Sequence, residues 1–463
     1  MGKDIGTTEK ITAMQAADTV LIETGGSVKR VSPETLSGRM NLKDNIDLNS
    51  YGIEFDTTVS TPACTRIGNM ALHRSLPVQS RMRGCILDDD GNVVEYLPQG
   101  SWLGATRDGS KGQVMVEIPE HWRRCITVGT RLEVRLAQTD LPGFIRVPLM
   151  YVSAYEATVN RAESKLCSVV NTSTGYRGGN NDASRDGTAK SQLGLPATSI
   201  SMNSFRTYAR NRKTGSTEWN MYTYQAHRAL YWLFATEYAT LNSQAPYNAQ
   251  PTAEGYRQGG LGDGVTSLDW GKWNTFNGTN PVVPCGYTDS LGNGTGVVEF
   301  TMPTEYDTSV KKVSVPRYRG IENPFGHIWK WTDGVLVQVN PGESGVSKVY
   351  VCDDPAKFSS SIGDGYGYIG DEPRVEAFVR EIIFGDNGDI IAKSCDGGSS
   401  TTYFCDSHYV KVSNTATEVR GVRFGGYANN GSAAGFVYSA SSHVPSSATP
   451  SIGSRLCFIP TAA

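Results

Sequence analysis

Acidic residues and cysteines are the first candidates for chemistry in this chain. The nine cysteines are scattered without a Cys-x-x-Cys pair, so we expect them to be reduced and mostly buried, not paired in disulfides or bound to zinc. Three consecutive aspartates at 88–90 would suit calcium, but Val93 and Gln99 stand where such a loop needs further oxygen ligands. The pattern therefore favours a β-hairpin turn at Asp90-Gly91 over a metal site.

Sequence motifs for catalysis are missing. The chain has no HExxH, no GxSxG nucleophile elbow and no P-loop GKS/T sequence. We therefore predict that the protein is not an enzyme, with no catalytic residues, no metal ligands and no cofactor. An Asp/Glu pair for glycoside hydrolysis depends on separation in space, so a depolymerase activity stays open at this point.

Composition narrows the classes of partner. The 463 residues include 43 Lys+Arg and 46 Asp+Glu, which excludes a protein built mainly to coat nucleic acid or an anionic membrane. With 51 Gly, 22 Tyr and 8 Trp, the chain is typical of a turn-rich, β-leaning protein. It carries neither a secretion signal nor a long apolar stretch, so we expect synthesis in a cytoplasm, no nucleic-acid partner and no membrane insertion.

The elements fall into three predicted regions. Residues 1–45 are polar apart from Val20-Leu21-Ile22, carry a helix-start signal at Ser32-Pro33-Glu34, and are too sparse in apolar side chains to fold alone, which predicts an oligomerisation or docking segment. Residues 46–148 alternate apolar with polar side chains, as in GQVMVEIP and RLEVRLAQ, and predict a small β-domain.

Residues 149–463 predict an α+β domain, with helices first and strands later. Helical patterns lie near 203–212 and 219–242; in the second, we expect His227 to be a packed or capping histidine. The second helix has one apolar face, formed by Leu230, Leu233, Phe234, Tyr238 and Leu241. Residues 243–300 are predicted to wrap the domain surface, and a second hairpin is predicted around Asn387-Gly388.

Residues 424–454, which we call the charge-free segment, contain no Asp, Glu, Lys or Arg, although charged residues make up 19% of the chain. A disordered linker is one reading of this composition. Against it, aromatic residues interrupt the segment and the apolar run Leu456–Ile459, which resembles a core strand, follows it. The segment also lacks Lys, Glu, Gln, Met and Trp, the residues that an Asn codon ending in a pyrimidine cannot yield when its adenines are randomised.

At these residues the sequence resembles the variable proteins of phage diversity-generating retroelements, that is, the major-tropism-determinant-like receptor-binding tail proteins. ALYWLFATEYATLNSQ (229–244) and GIENPFGHIWKWTDGV (320–335) are similar to ordered motifs of that family. RGVRFGGYANNGSAAGFVYSASS (420–442) and PSIGSRLC (450–457) resemble its variable cassette and the fixed end of that cassette. Together with similar passages upstream, the resemblance covers most of residues 80–457.

The resemblance implies a C-type lectin fold, also used by formylglycine-generating enzymes, in residues 149–463, with a hypervariable surface at about 420–457. It implies a scaffold that includes Gly425, Gly426, Gly435, Trp329, Trp331 and Arg455. It implies that the following positions are displayed, variable and ligand-binding: Tyr427, Asn429, Asn430, Ala433, Ala434, Tyr438, Ala440, Ser442, His443, Ser447, Thr449 and Pro450.

The function implied is host attachment. The partners would be a host cell-surface receptor, protein or glycan, and other virion tail proteins through the N-terminal segment, with a homotrimer in the tail of the virion. A variable protein displayed on a bacterial cell surface is the alternative. A formylglycine-generating-enzyme-like activity is disfavoured because residues 427–456 contain no cysteine, and calcium-dependent sugar binding because no EPN, QPD or WND sequence occurs.

Overall fold

The computed structural model describes residues 20–24, 27–31, 45–245, 251–261, 266–303, 312–342, 344–412 and 415–461. The protein is built mainly from β-sheets, with few helices. The α-helices described from end to end are α1 Met70–Ser75, α2 Met202–Arg210, α3 Tyr224–Tyr238 and α4 Trp270–Asn277.

The strands range from two to eleven residues. In the first half of the chain they are β1 Val20–Thr24, β2 Ser27–Val31, β3 Ser50–Asp56, β4 Thr65–Gly68, β5 Arg83–Leu87, β6 Val93–Tyr96, β7 Gln113–Ile118, β8 His121–Val128, β9 Arg131–Ala137, β10 Ile145–Val147, β11 Met150–Ser153, β12 Thr158–Asn160, β13 Lys165–Cys167 and β14 Trp219–Met221. In the second half they are β15 Gly296–Thr301, β16 Lys312–Tyr318, β17 Ile321–Glu322, β18 Trp329–Val339, β19 Ser347–Val351, β20 Gly367–Asp371, β21 Ala377–Phe378, β22 Glu381–Ile383, β23 Ile391–Ser394, β24 Ser407–Tyr409, β25 Glu418–Phe424, β26 Ser439–His443, β27 Ile452–Gly453 and β28 Leu456–Phe458.

Three sheets form the body of the molecule. One has the order β10-β8-β9-β3-β4 and a second has the order β14-β28-β11-β7-β5-β6. The largest runs β20-β19-β18-β25-β26-β24-β21, with β27 paired to β18. The predicted boundary at 148/149 falls between β10 and β11, and strands from both sides of it pair in the second sheet.

Helix α3 lies at the centre of the main core and packs against β3, β9 and β18. The predicted apolar face is buried, and so is almost every other residue of the helix, as expected for a helix that is enclosed by sheets. His227 is wholly buried, which confirms that it is a packed histidine. That same core includes residues from Tyr51 to Ile459, so it joins parts of the chain that are far apart in sequence.

The predicted helical start at residue 219 is wrong. Trp219–Met221 form strand β14, and the helix begins at Tyr224 after Thr223, whose side chain accepts a hydrogen bond from the Ala226 amide. The reason is tertiary, because β14 pairs antiparallel with β28 near the other end of the domain. The first predicted helix lies at 202–210, close to its expected place.

Both predicted hairpins are confirmed. Strands β5 and β6 pair across the turn at Asp90-Gly91, and β22 and β23 pair across the turn that contains Asn387-Gly388. Gly91 and Gly388 have positive φ angles of 88° and 63°, which glycine adopts without strain. The prediction that Leu456–Ile459 is a core strand is also confirmed, because β28 is buried between β11 and β14.

All nine cysteines are free, and eight of them are buried, as the scattered spacing predicted. The N-terminal strands β1 and β2 pair antiparallel. The rest of the predicted docking segment, including its helix-start signal at 32–34, lies outside the described residues.

Candidate functional site

The charge-free segment is folded, not a linker. It begins at the end of β25, turns at Gly425-Gly426, passes through a 3-10 turn at Gly431–Ala433, and continues as β26 and β27. Gly425 and Gly426 have φ angles of 98° and 76°, a region that side-chain-bearing residues rarely adopt. Phe436 and Val437 pack in the main core, so apolar contacts, and not ion pairs, hold this part of the segment.

Buried polar side chains outside the segment hold its backbone. Asp406 Oδ2 accepts hydrogen bonds from the Val437 amide and the Ser243 hydroxyl, each at 2.8 Å. Gly435 lies against this carboxylate, because a Cβ atom there would be 2.0 Å from Asp406 Oδ1. Burial raises the pKa of Asp406 well above its usual range. The conformation around residues 435–437 is therefore set by contacts to main-chain atoms.

His227 gives a second anchor. Its Nε2 lies 2.6 Å from the carbonyl oxygen of Phe436 and therefore donates, while its Nδ1 accepts from the Tyr222 hydroxyl at 3.0 Å. Burial lowers the pKa of His227 to about 3, so the ring is neutral at physiological pH. Gln244 adds a bond from Nε2 to the Gly431 carbonyl at 3.0 Å.

A buried ionic cluster supports the turn before β18. Lys330 Nζ lies 2.8 Å from Glu156 Oε1, and His327 Nδ1 lies 2.6 Å from Glu156 Oε2. The His327 carbonyl in turn accepts the Ala428 amide of the charge-free segment at 3.0 Å. These three side chains are buried and do not line the cavity described next, so they position the segment and do not present chemistry to solvent.

A cavity of about 440 Å³ opens beside the segment, and we call it the Arg423 pocket. It combines side chains of the charge-free segment with side chains from α4, β18, β24, β25 and the approach to β21. Its lining residues are Trp270, Thr279, Trp329, Glu376, Tyr409, Arg423, Tyr427, Asn430, Tyr438, Ser442, His443, Thr449, Pro450 and Ser451.

Aromatic rings form one wall of the Arg423 pocket. Trp329 stacks on Tyr427 with ring centroids 5.7 Å apart and meets Tyr438 edge-on at 4.7 Å. Trp270 contacts the Tyr427 ring at 5.8 Å and is 44% exposed, so it stands at the rim. Such edge-to-face and offset pairs hold large rings in fixed positions.

Arg423 is the cation of the pocket and is only 4% exposed. Its Nη2 donates to the Ser442 hydroxyl at 2.6 Å, and its guanidinium carbon lies 5.0 Å from the centre of the Trp329 ring. Within the described part of the chain it forms no salt bridge, and its buried Nε has no hydrogen-bond partner. Burial lowers the pKa of Arg423 to about 10, which still leaves it charged at neutral pH.

Two further titratable groups line the pocket. His443 Nδ1 lies 2.9 Å from Ser442 Oγ, and burial, followed by the neighbouring positive charge of Arg423, lowers the pKa of His443 to about 4. Glu376 is exposed and brings a negative charge to the lining. At neutral pH the pocket therefore holds a buried positive charge, a neutral imidazole and an exposed carboxylate.

The structure brings many of the predicted variable positions together. Those that line the Arg423 pocket are Tyr427, Asn430, Tyr438, Ser442, His443, Thr449 and Pro450. Ser447 lines a neighbouring groove that shares Ser442 and His443 with the pocket. Asn429 is exposed and Ala433 half-buried, and neither lines the pocket.

Ala434 and Ala440 are not displayed, in contrast to the prediction. Both have no exposed surface. Ala434 packs under the glycine turn, where a Cβ at Gly426 would lie 3.0 Å from the Ala434 methyl. Ala440 pairs directly with Arg423 across β25 and β26, so the long arginine side chain shares its face of the sheet.

The predicted scaffold residues lie within the fold. Trp331 and Arg455 have no exposed surface. The Arg455 guanidinium donates to the backbone carbonyl oxygens of Ser153 at 3.0 Å, Asn323 at 2.6 Å and Glu322. Trp329 was predicted as a core aromatic, and the structure places it in the pocket wall as well.

Sequence reasoning missed half of the pocket. Trp270, Glu376 and Tyr409 come from distant parts of the chain, and no local pattern marks them. Arg423 carried a signal, because it is the last charged residue before the charge-free segment begins. A charged residue at the edge of such a segment is a candidate for the site that the segment surrounds.

The described ranges hold no group of three or more His, Cys, Asp or Glu side chains placed to bind a metal ion together. Among the described helices, none has the length and apolar character needed to cross a membrane.

Comparison with known proteins gives a weak structural similarity. No protein-family model and no curated protein matches the chain. A solved structure titled "Major Tropism Determinant U1 Variant" is similar over 74% of this chain and 72% of that chain, with 10% sequence identity and a TM-score of 0.21. A TM-score of this size is too low to establish a shared fold. The chain is thus a weak structural neighbour of that tropism determinant.

Proposed function

We propose that this protein is a receptor-binding protein of a phage tail, and that the Arg423 pocket binds a ligand on the host surface during adsorption. One observation carries the proposal: a single concave site gathers seven of the predicted variable positions around Arg423, Trp270 and Trp329, which are not among those positions. Loops held by a rigid frame are where binding residues concentrate in proteins.

The way the segment is anchored supports this proposal. Asp406, His227 and Gln244 bind carbonyl and amide groups of residues 431–437, not their side chains. The bonds that hold residues 431–437 do not involve the side chains of Thr449 and His443, so substitution at these two positions changes the pocket without removing those bonds. A surface with this property suits recognition of diverse ligands.

We also propose that residues 149–463 adopt a C-type lectin-like fold. The first and last strands of this region, β11 and β28, pair antiparallel, and helices α2 and α3 lie between them in sequence. In this proposal the protein has no enzymatic activity, because its pocket serves recognition.

Assembly belongs to the same proposal. A homotrimer that docks to other tail proteins through residues 1–45 would present several copies of a modest site on one virion. Linked copies raise the effective concentration, so weak individual contacts give durable attachment.

The direct test is adsorption of phage particles that carry variants of the pocket. We expect Tyr427→Ala together with His443→Ala to reduce the adsorption rate on a sensitive host at least about tenfold, since both side chains line the cavity. Ser446→Ala is the matched control, because Ser446 is exposed in the same segment and lies outside the pocket. Unchanged adsorption by the double variant, with the protein present in purified particles, overturns the proposal.

Sequencing of codons 420–457 in one propagated population tests the origin of the diversity. Substitutions confined to adenine-templated positions support retroelement diversification. A uniform sequence contradicts retroelement diversification, and the proposed function then rests on the adsorption result alone.

A further inference from the structure

We propose that the Arg423 pocket selects a carboxylated saccharide, with the sugar carboxylate on the Arg423 guanidinium and the sugar ring against Trp270 and Tyr427. This inference rests on the proposed function and names the ligand class of the same site.

Arg423 has no carboxylate partner among the described residues. Two other buried arginines of this chain face carboxylates: Arg228 lies 2.5 Å from Asp389, and Arg317 lies 3.2 Å from Asp289. Buried Arg123 and Arg455 donate to backbone carbonyl oxygens instead, and neither lines the pocket. Arg423 is equally buried, yet among the described residues its guanidinium forms one hydrogen bond, to the Ser442 hydroxyl. A buried cation without a counterion is costly, and a bound carboxylate would match the planar guanidinium with two parallel hydrogen bonds.

The shape of the cavity restricts the kind of ligand that it can hold. At about 440 Å³ the cavity has the size of a small-molecule pocket, which favours a compact ligand group over the flat surface of a protein epitope. Arg423 lies in its interior and Trp270 at its rim. A ligand therefore reaches the cation with one end while its body stays against the aromatic wall.

Most of the remaining lining side chains are neutral polar or aromatic groups. Asn430, Ser442, Thr449, Ser451 and Tyr409 supply neutral hydroxyl and amide groups, which suit the hydroxyls of a sugar. Tyr427 and Trp270 supply aromatic surface for the apolar face of its ring.

Glu376 sets the orientation of the ligand. It is the one carboxylate among the lining side chains of the described pocket, and it is exposed. Like charges repel, so an acidic ligand places its carboxylate on Arg423 and turns hydroxyl groups toward Glu376. The ligand thus binds in one orientation, with its carboxylate at Arg423 and its hydroxyl groups at Glu376.

The experiment compares methyl β-glucuronide with methyl β-glucoside, which share a ring and differ in the carboxylate, and with acetate as an anion without a ring. Binding to the purified full chain is measured by ligand-observed NMR titration. We expect the glucuronide to bind at least about tenfold more tightly than either other probe. Equal binding of the glucoside, or equal binding of acetate as an adventitious ion only, overturns the inference.

Substitution assigns the binding to the pocket. Arg423→Gln should reduce glucuronide affinity about tenfold more than it reduces glucoside affinity, because only the glucuronide has a carboxylate. Arg146→Gln is the control, because Arg146 is an exposed arginine on β10 in a different sheet. Equal losses for both sugars contradict a role for Arg423 in recognising the carboxylate.

A second variant keeps the test independent of folding at Arg423. Glu376 is exposed, so Glu376→Gln leaves the core intact and removes a repelling charge. We expect it to raise glucuronide affinity about twofold to fivefold relative to glucoside affinity, because only the glucuronide carries a charge that Glu376 repels. A loss of glucuronide affinity in this variant refutes the proposed orientation. If pocket variants abolish adsorption while neither sugar binds, the ligand class is wrong and the proposed function stands.

Discussion

Asp406 shows how a single buried carboxyl group orders a stretch of backbone. It accepts from the Val437 amide and the Ser243 hydroxyl, and its other oxygen occupies the space in which a side chain at position 435 would lie. The residue type at 435 is therefore dictated by a side chain that is distant in sequence. Glycine is required at position 435 for lack of space and not for its backbone conformation, since the φ angle of Gly435 is not positive.

We expect Gly435→Ala to lower the free energy of unfolding by about 1–3 kcal/mol, because the new methyl group overlaps the Asp406 carboxyl group. The measurement is urea unfolding followed by fluorescence. Gly363→Ala serves as the control, since Gly363 is exposed and a Cβ there would meet nothing within 4 Å. A change below about 0.5 kcal/mol for Gly435→Ala would show that the Asp406 contact is not restrictive.

Strand β28 is the element on which the second sheet depends. It pairs with β11 on one side and β14 on the other. Its Phe458 ring lies 4.9 Å from Trp219 and 6.1 Å from Tyr151, and it also fills the space beside Gly91 in the first hairpin. Three separate parts of the chain therefore meet at one side chain.

Phe458→Ala should destabilise the protein by about 3–5 kcal/mol, because it leaves a cavity among strands that have no other common partner at that point. Equilibrium unfolding in urea measures the change. Val297→Ala, on the exposed face of β15, should cost less than about 0.5 kcal/mol. Similar small effects for both variants would contradict the central role of β28.

Elements whose cause is local were predictable from the sequence. The hairpins at Asp90-Gly91 and Asn387-Gly388 follow from turn residues between β-prone runs, and both are present. The start of α3 was not predictable in this way, since Trp219–Met221 precede the helical pattern of apolar residues without a break and pair with β28. Long-range pairing overrides local preference when the partner strand completes a sheet.

The candidate site was half predictable for a similar reason. The charge-free segment stands out in composition, and many of its chosen positions do line the pocket. Composition does not reveal which alanines face inward, so Ala434 and Ala440 were misplaced. Trp270, Glu376 and Tyr409 reach the pocket only through the fold, and no pattern in their own neighbourhoods indicates it.

At the scale of the whole molecule, burial of titratable groups sets the response to acid. Burial lowers the pKa of several histidines, to about 4 for His73, His121, His408 and His443 and to about 3 for His227. Burial also raises the pKa of Glu372 to about 8, and burial with a neighbouring Asp289 raises that of Glu322 to about 7.

These two sets act in opposite directions between pH 6.5 and 4.5. There the unfolded chain binds protons on histidines that the folded chain keeps neutral, which lowers stability as pH falls. In the same range Glu372 and Glu322 are protonated in the folded chain and ionised in the unfolded one, which raises stability as pH falls. Below about pH 4.5 Glu372 and Glu322 no longer raise the stability as the pH falls, because the unfolded chain protonates these carboxyl groups too.

Because these five histidines outnumber the two opposing carboxyl groups, we expect the free energy of unfolding to fall as the pH is lowered from 6.5 to 4.5 and to fall more steeply just below pH 4.5. Each extra proton bound by the unfolded chain lowers it by about 1.4 kcal/mol per pH unit. Glu156 adds to the fall: burial acts to raise its pKa, but Lys330 and His327 lower it to about 2. Urea unfolding at intervals from pH 7 to 3.5 measures the profile, and a stability that rises below pH 4.5 would contradict this assignment.

The place of β28 also imposes an order on biosynthesis. Strands β11 and β14 leave the ribosome well before residues 456–458 are made, and the gap between them stays open until that strand arrives. During this interval two strand edges are unpaired, and such edges pair readily with other chains. A nascent chain of this protein thus depends on being shielded, by chaperones or by its own collapsed core, until residue 458 has emerged.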